Sequence, residues 1–336
     1  MSDPLRHLSD EEREALEETD LPEWTEPMLA TLTDRPFDDP DWIYERKLDG
    51  VRLLAFKAGG AVRLMSRNRK DNSDRYPEVV EAFEAMERDG FIVDGEMVAF
   101  EGNVTSFSRL QGRMKIQDAD EARQSGIAVH FYVFDILHLD GYDVTGLPLR
   151  RRKGVLREAL EFDDPIRFTP HRNEDGVAYW KEACRKGWEG VIAKDAVRPY
   201  THGRSKSWLK FKCVHQQELV VGGFTDPKGD RVGFGALLLG FYQDGELRYA
   251  GKVGTGWDEE TLDELRTRLD RLERETPPFA DAEGIPGKGV HWVRPELVGE
   301  VGFTEWTEDD RLRHPRWIGE RQDKDPEDVV KEEPGA

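Results

Sequence analysis

A lysine stands two residues before an Asp-Gly pair, Lys47-Leu48-Asp49-Gly50, between two segments that read as strands. An ε-amine attacks phosphorus only when unprotonated, so such a lysine must have its pKa lowered from about 10. Neighbouring cations or desolvation produce that shift. Lys194, Lys210 and Lys212 are the candidate cations, and would also hold phosphates. Alone the pattern is weak, since chance should supply it in roughly one chain in ten or twenty of this size. An exposed lysine before a hairpin turn explains it as well.

The pattern gains meaning from the segments downstream of it. Ser66-Arg67-Asn68 closes a strand. Asp94-Gly95-Glu96 puts two carboxylates into an apolar strand. Phe131 to Asp135 places aromatics, Phe134 among them, in an aliphatic strand. Glu189 to Lys194 has an acid at one end and a base at the other. Ser207 to Lys212 alternates strictly, so Lys210 and Lys212 share one face. Each piece has a bland explanation: a solvated strand face, a surface arginine, a core phenylalanine. Together they supply the groups that nucleotidyl transfer needs: a lysine, phosphate-binding cations, metal-binding carboxylates and an aromatic for a base.

The elements that must position these groups fall into two parts. Strands are expected over Trp42 to Leu48, Val51 to Ala58, Ala61 to Ser66, Phe91 to Phe100, Val129 to Leu139, Gly190 to Lys194 and Ser207 to Lys212. Helices are expected over Tyr76 to Asp89, Leu149 to Leu160 and Val177 to Lys186. After Val214 short strands dominate: Glu218 to Phe224, Ala236 to Gln243, Glu246 to Val253 and Val290 to Trp306. One helix, Trp257 to Arg274, interrupts them, and Gly229 to Gly235 reads as a loop. The expected organisation is a helical extension over residues 1–24, loosely packed or partly disordered, with Ser9 as N-cap. A nucleotidyltransferase domain over 25–214, a small barrel over 215–326 and an acidic tail over 327–336 complete it. The fold class is α+β followed by an OB-fold barrel.

Composition adds constraints. The formal net charge is −20, awkward for a nucleic-acid binder, although the local field decides binding. Acidic residues crowd Asp10 to Asp20 and Glu320 to Glu333. Basic ones cluster at Arg63 to Lys70, Arg150 to Arg157, Arg198 to Lys212 and Arg311 to Arg321. A solvated acidic surface suited to high internal salt is one reading. No apolar run long enough for a membrane helix and no signal peptide are visible. The two cysteines, Cys184 and Cys213, are expected to be reduced thiols in a cytoplasmic protein.

In order, ERKLDGVR, SRN, VDGE, YVFD, EGVIAK and WLKFK resemble the covalent nucleotidyltransferases: ATP-dependent DNA ligases, RNA ligases and mRNA capping enzymes. The stretch RLRHPRWIGERQDKDPEDV resembles the final motif of DNA ligases, with Arg321-Gln322-Asp323-Lys324 at its centre. The best match is to compact bacterial end-joining ligases, including the ligase module of their multifunctional enzymes. It spans about Pro27 to Val329. Glu320 departs from the pattern, where an apolar residue is expected.

The resemblance implies a role for each matching position. Lys47 would carry AMP. Glu45 would place backbone groups against adenine, and Phe134 would stack on it. Arg52, Arg67 and Glu96 would meet ribose or phosphate. Glu189, with Glu96, would help bind Mg2+ or Mn2+. Lys194, Lys210 and Lys212 would hold phosphates. Arg321 and Lys324 would close over ATP as the OB domain pivots near Lys212 to Gln217. Nicked double-stranded DNA is the implied substrate, a Ku-like end-binding protein an implied partner, and a monomer the expected state. No polymerase or phosphoesterase module is expected within these residues. An RNA ligase or capping enzyme shares the lysine motif, and a non-catalytic nucleotide-binding scaffold is the remaining alternative.

Overall fold

The two segments flanking Lys47 enter different sheets. Trp42–Lys47 lies in a five-stranded sheet ordered His171–Asn173, Trp42–Lys47, Gly190–Asp195, Gly203–Lys212, Met28–Leu32. Val51–Ala58 lies in an eight-stranded sheet, between Ala61–Ser66 and Phe91–Glu101, with Val129–Leu139 beyond. Leu48, Asp49 and Gly50 carry the chain across. A Cβ at Gly50 would lie 2.1 Å from the Met97 carbonyl oxygen, so only glycine fits. Leu54, Phe56, Ile92, Phe134 and Leu137 of one sheet share a buried layer with Met28 and Trp208 of the other. The two sheets therefore face each other, with the strand that carries Lys47 in the smaller one.

The structure is a computed structural model that describes residues 3–14, 16–227, 232–282, 285 and 287–333. The chain divides at Cys213/Val214 into two compact units. In the first, the outer face of the larger sheet buries Leu53, Ala55, Val93, Met97, Phe131 and Val133 against Val79 and Phe83 of helix Pro77–Glu84 and Leu156 of helix Leu149–Ala159. Each such aliphatic or aromatic burial contributes about 1.5–3 kcal/mol. The outer face of the smaller sheet buries Tyr44, Val191, Ala193 and Phe211 against Tyr179 and Ala183 of helix Gly176–Arg185.

The second unit is the OB-fold domain. Glu246–Val253, Leu237–Gln243, His215–Thr225 and Val290–Phe303 run antiparallel in that order, and Arg316–Glu320 also pairs with Val290–Phe303. Helix Glu259–Arg271 is capped by Asp258, whose Oδ1 accepts from the Thr261 N–H at 2.9 Å. Its apolar stripe, Leu262, Leu265 and Leu269, faces the core.

Several expectations need correction. The N-terminal extension is not loosely packed. Ser9 and Glu12 form a reciprocal capping box, with Oγ accepting at 3.1 Å and Oε2 at 2.8 Å. Leu5 and Leu8 are buried in the core of the first unit, and Glu17–Glu18 pairs with Tyr142–Asp143. Its acidic composition masked two anchoring leucines. Within the acidic tail, Val329 is buried in the second unit and its carbonyl accepts from the Tyr242 N–H at 2.7 Å. Helices Phe107–Met114 and Ala119–Gln124 were not expected. The first turns a charged residue inward: buried Arg113 donates to Glu78 at 2.6 Å and to the Arg75 carbonyl at 2.8 Å, which breaks the apolar periodicity. Residues 229–231 of the expected Gly229 to Gly235 loop lie outside the described residues.

The cysteines are not reduced thiols. Cys184, on helix Gly176–Arg185, is disulfide-bonded to Cys213, just past strand Gly203–Lys212, with their Cα atoms 5.1 Å apart. A sequence separation of 29 gave no spacing cue. Closing a loop of that length stabilises a chain by about 3–4 kcal/mol. Thiol titration of the unreduced protein should therefore find no free thiol, and Cys184→Ser should lower the melting temperature of the first unit. Two free thiols in protein prepared without reductant, with an unchanged melting temperature, would refute the bond.

Candidate active site

Register fixes which side chains share the face opposite the larger sheet. Lys47 stands across from Gly190 and Gly190 from Lys212. Glu45 stands across from Ile192 and Ile192 from Lys210. Ile43 stands across from Lys194 and Lys194 from Trp208. Directly opposed residues point the same way, and so do residues two apart. Lys47, Glu45, Lys194, Lys210 and Lys212 thus occupy one face, the face on which Trp208 joins Phe134 and Leu54 of the other sheet. A Cβ at Gly190 would meet the Phe211 carbonyl oxygen at 2.0 Å, so glycine lets the three strands close where Lys47 sits.

Lys47 Nζ lies 2.5 Å from Glu189 Oε1, with side chains 21% and 6% exposed. Burial works against the charge on Lys47. The Glu189 carboxylate more than offsets it, assisted by Glu96 and Asp49, and the ammonium is held above its ordinary pKa. This reverses the expected direction. The charges nearest Lys47 are carboxylates, and Lys194 is committed elsewhere.

That commitment is to Glu45. Its buried carboxylate lies 2.7 Å from Lys194 Nζ and also receives a hydrogen bond from Lys153. Burial would raise the Glu45 pKa; Lys153 and then Lys194 overcome this and lower it. Lys194 responds oppositely: burial pulls its ammonium down to about 8, against the pull of Glu45. Lys194 Nζ also lies 4.0 Å from the ring centres of both Phe134 and Trp208, a favourable place for a desolvated cation.

Arg52 completes the group from the larger sheet. Its guanidinium lies 4.5 Å over Phe134 and grips Asp94 side-on through Nε and, at 2.5 Å, Nη2. Tyr200 donates to the same carboxylate at 2.6 Å. Glu96 is half-buried and stands opposite Arg52. Arg67 lies in the turn after Ala61–Ser66, one residue past the Leu53–Ser66 pair and so at the same end of the sheet as Arg52.

Lys47, Glu45, Glu189, Lys194, Lys210 and Lys212 are thus together on one sheet, with Arg52, Glu96 and Phe134 on the facing one. Sequence reasoning missed Lys153 and Tyr200, and it named Asp94 only as one of a carboxylate pair, with no role of its own. Lys153 lies 108 residues from Glu45, on a helix read as a basic surface. In fact Arg152 and Lys153 are buried, and Arg152 holds buried Asp135 through two bonds of 2.8 and 2.9 Å. That cluster is thus partly used inside the fold rather than offered to a polyanion.

Arg321 and Lys324 belong to the second unit, among carboxylates. Arg321 is buried, 2.8 Å from Glu300 and 2.8 Å from Asp323. Burial opposes its charge, and Asp323 and Glu300 raise its pKa in spite of it. Lys324 Nζ lies 3.0 Å from Glu218. Glu320, the departure from the ligase pattern, is buried against Arg268 at 2.5 Å. A cation on the helix thus replaces the expected apolar contact.

Two facing sheets around a lysine, followed by an OB domain, define a nucleotidyltransferase of the ligase class. Residues 27–212 match the "ATP dependent DNA ligase domain" family and residues 230–324 its "C terminal region". The chain is 36% identical over 326 residues to the multifunctional non-homologous end joining protein LigD of Pseudomonas aeruginosa, covering 95% of this chain and 38% of that one. It is 37% identical over 311 residues to LigD of Mycobacterium tuberculosis, covering 91% and 40%. A solved structure of mycobacterial DNA ligase D with ATP superposes with a TM-score of 0.63 at 35% identity, over 91% of this chain and 98% of that chain. The chain belongs to the ATP-dependent DNA ligase family. It spans about two fifths of the length of its LigD relatives.

The cage around Arg321 generates a test. Arg321→Ala leaves buried Glu300 and half-buried Asp323 without this cation, which should cost about 3–5 kcal/mol and lower the melting temperature of the second unit. An unchanged melting temperature with lost adenylation from ATP would instead assign Arg321 to the nucleotide.

Proposed function

We propose that this chain seals nicks bearing a 5′-phosphate and a 3′-hydroxyl in duplex DNA, carrying AMP on Lys47. The observation that supports it most directly is Lys47 itself, held 2.5 Å from Glu189 on the sheet face that also carries Lys194, Lys210 and Lys212. Lys47 Nζ attacks the α-phosphorus of ATP; an N–P bond forms and the bond to pyrophosphate breaks. The AMP then passes to the 5′-phosphate, the 3′-hydroxyl attacks, and AMP leaves. Lys47 must lose its proton first, and Glu189 Oε1 is the nearest acceptor. In this reading Phe134 carries adenine and Glu45 offers backbone groups to its edge. Arg52, Arg67 and Glu96 meet ribose and phosphate. Lys194, Lys210 and Lys212 neutralise the phosphates. Arg321 and Lys324 are assigned to the nucleotide.

A divalent cation, Mg2+ or Mn2+, fits this donor set. Glu189 Oε2 is buried and has no hydrogen-bond partner among the described residues, leaving one hard oxygen available. No group of three His, Cys, Asp or Glu side chains is arranged for a metal among the described residues. Phosphate and water would therefore complete the shell, as suits Mg2+. Once bound, the ion supplies charge neutralisation at the phosphates.

Role in end joining, recruitment by a Ku-like protein, action as a monomer and a cytoplasmic location belong to the same proposal. Among the described residues no helix is long and apolar enough to cross a membrane. The substrates, ATP and DNA, favour the cytoplasm, where the Cys184–Cys213 bond would form against a reducing environment.

Incubation with labelled ATP, GTP or NAD, followed by denaturing electrophoresis, separates the readings. ATP should leave a label that survives denaturation and disappears in Lys47→Ala, and Glu189→Ala should depend on much higher metal concentrations. Labelling by GTP rather than ATP would favour a capping enzyme. Salt is the second variable. If the −20 charge is an adaptation to salt, folding and nick sealing should hold near molar KCl. Best sealing in about 0.1 M salt with collapse at 1 M, as phosphate contacts weaken, would exclude that adaptation.

A further inference from the structure

Arg46, between Glu45 and Lys47 in sequence, points the other way. It stands across from Val191, and Val191 from Phe211, on the face that packs against helix Gly176–Arg185. At the end of its strand its guanidinium lies 4.4 Å over the Trp188 ring and 5.8 Å from that of Phe100. Its Nε and Nη2 are buried and have no hydrogen-bond partner among the described residues.

Those two atoms form one side of the guanidinium fork, the side that grips a planar or tetrahedral oxyanion with two parallel bonds. Elsewhere in this chain the same edge is filled. Arg52 gives it to Asp94 and Arg152 gives it to Asp135. Arg46 has no such carboxylate. A guanidinium cannot shed its charge, and a buried N–H left without an acceptor is destabilising. Trp188 and Phe100 hold the group by its faces and leave its edge to an anion.

The surroundings suit a nucleic acid. Phe100 packs near Tyr132 with ring centres 6.2 Å apart, and Arg167 lies 5.7 Å from the Tyr132 ring. Lys186 lies 4.8 Å from Trp188. Cations and aromatics thus form one continuous row: Lys186, Trp188, Arg46, Phe100, Tyr132, Arg167. Arg167 is paired with Asp164 and Lys186 with Glu182. Arg46 therefore carries the unneutralised charge of this row. Arg46, Trp188, Phe100 and Tyr132 are all half-buried, and binding requires rotamer changes among them to open the edge to a ligand.

We infer that Arg46 binds a backbone phosphate of the DNA through its Nε/Nη2 edge, seated between Trp188 and Phe100 on the reverse face of the strand that bears Lys47. DNA rather than ATP is the source, because the nucleotide groups lie on the opposite face. The inference rests on the ligase reading and deepens it: it names a protein contact for the strand being sealed.

The test uses the full chain and a nicked duplex with a 5′-phosphate. Arg46→Ala should weaken nick binding about five- to tenfold and lower the slope of log affinity against log salt by about 0.9, the loss of one phosphate contact. Arg46→Lys should restore the salt slope but not the full affinity, since an ammonium keeps the charge without the fork. Adenylation from ATP alone, followed in parallel, should proceed as in the wild type; its absence from the wild type would strike the ligase reading and not this one. A raised KM for ATP in Arg46→Ala, with unaltered nick binding, would assign the edge to the nucleotide and overturn the proposal. So would a fall in melting temperature with unchanged affinity and salt slope, the signature of a purely structural cation–aromatic contact.

Discussion

The ion pair between Lys47 and Glu189 is the interaction that the remainder of the first unit serves. It exists because three strands close at Gly190, where any side chain would strike the Phe211 carbonyl. The pair sets the resting state of the nucleophile. A buried amine alone would shed its proton easily; beside Glu189 it keeps it. The lysine is thus stored in unreactive form, and its activation requires that Glu189 take the proton or turn to another cation.

The charges behind this pair are balanced within the sheets rather than by solvent. Glu45 sits between Lys153 and Lys194, and Asp94 between Arg52 and Tyr200. Taking such groups out of water costs several kcal/mol per ion, and removing one partner leaves the other stranded. Their value is positional: they hold cations of defined orientation against Phe134 and Trp208. The second unit obeys the same rule, with Arg321 caged by Glu300 and Asp323 and Glu320 met by Arg268.

Much of this was legible in the sequence because strands have a period of two. The alternation in Ser207 to Lys212 correctly put Lys210 and Lys212 on one face, and the two-part fold was visible where helices gave way to short strands. The parts that were not legible depended on distant neighbours. Nothing near Glu45 in sequence announces Lys153, and nothing near Cys184 announces Cys213. Arg113 turned inward and erased the period of its helix. The direction of the Lys47 shift was misread for the same reason: residue types were visible, but the nearest charge, Glu189, lies across a strand pair. Arg46, flanked by two residues of the recognised motif, looked like part of that motif until the register turned it to the other face.

On this reading Lys47, and no other amine on this lysine-rich sheet face, forms the covalent bond to AMP. Lys194, whose pKa is drawn down to about 8, is a rival on the same face. Peptide mass mapping of the chain after reaction with ATP and a divalent cation distinguishes them. The added mass of AMP should appear on the peptide containing Lys47 alone. An adduct on Lys194, Lys210 or Lys212 in the wild-type protein would overturn the assignment of the nucleophile.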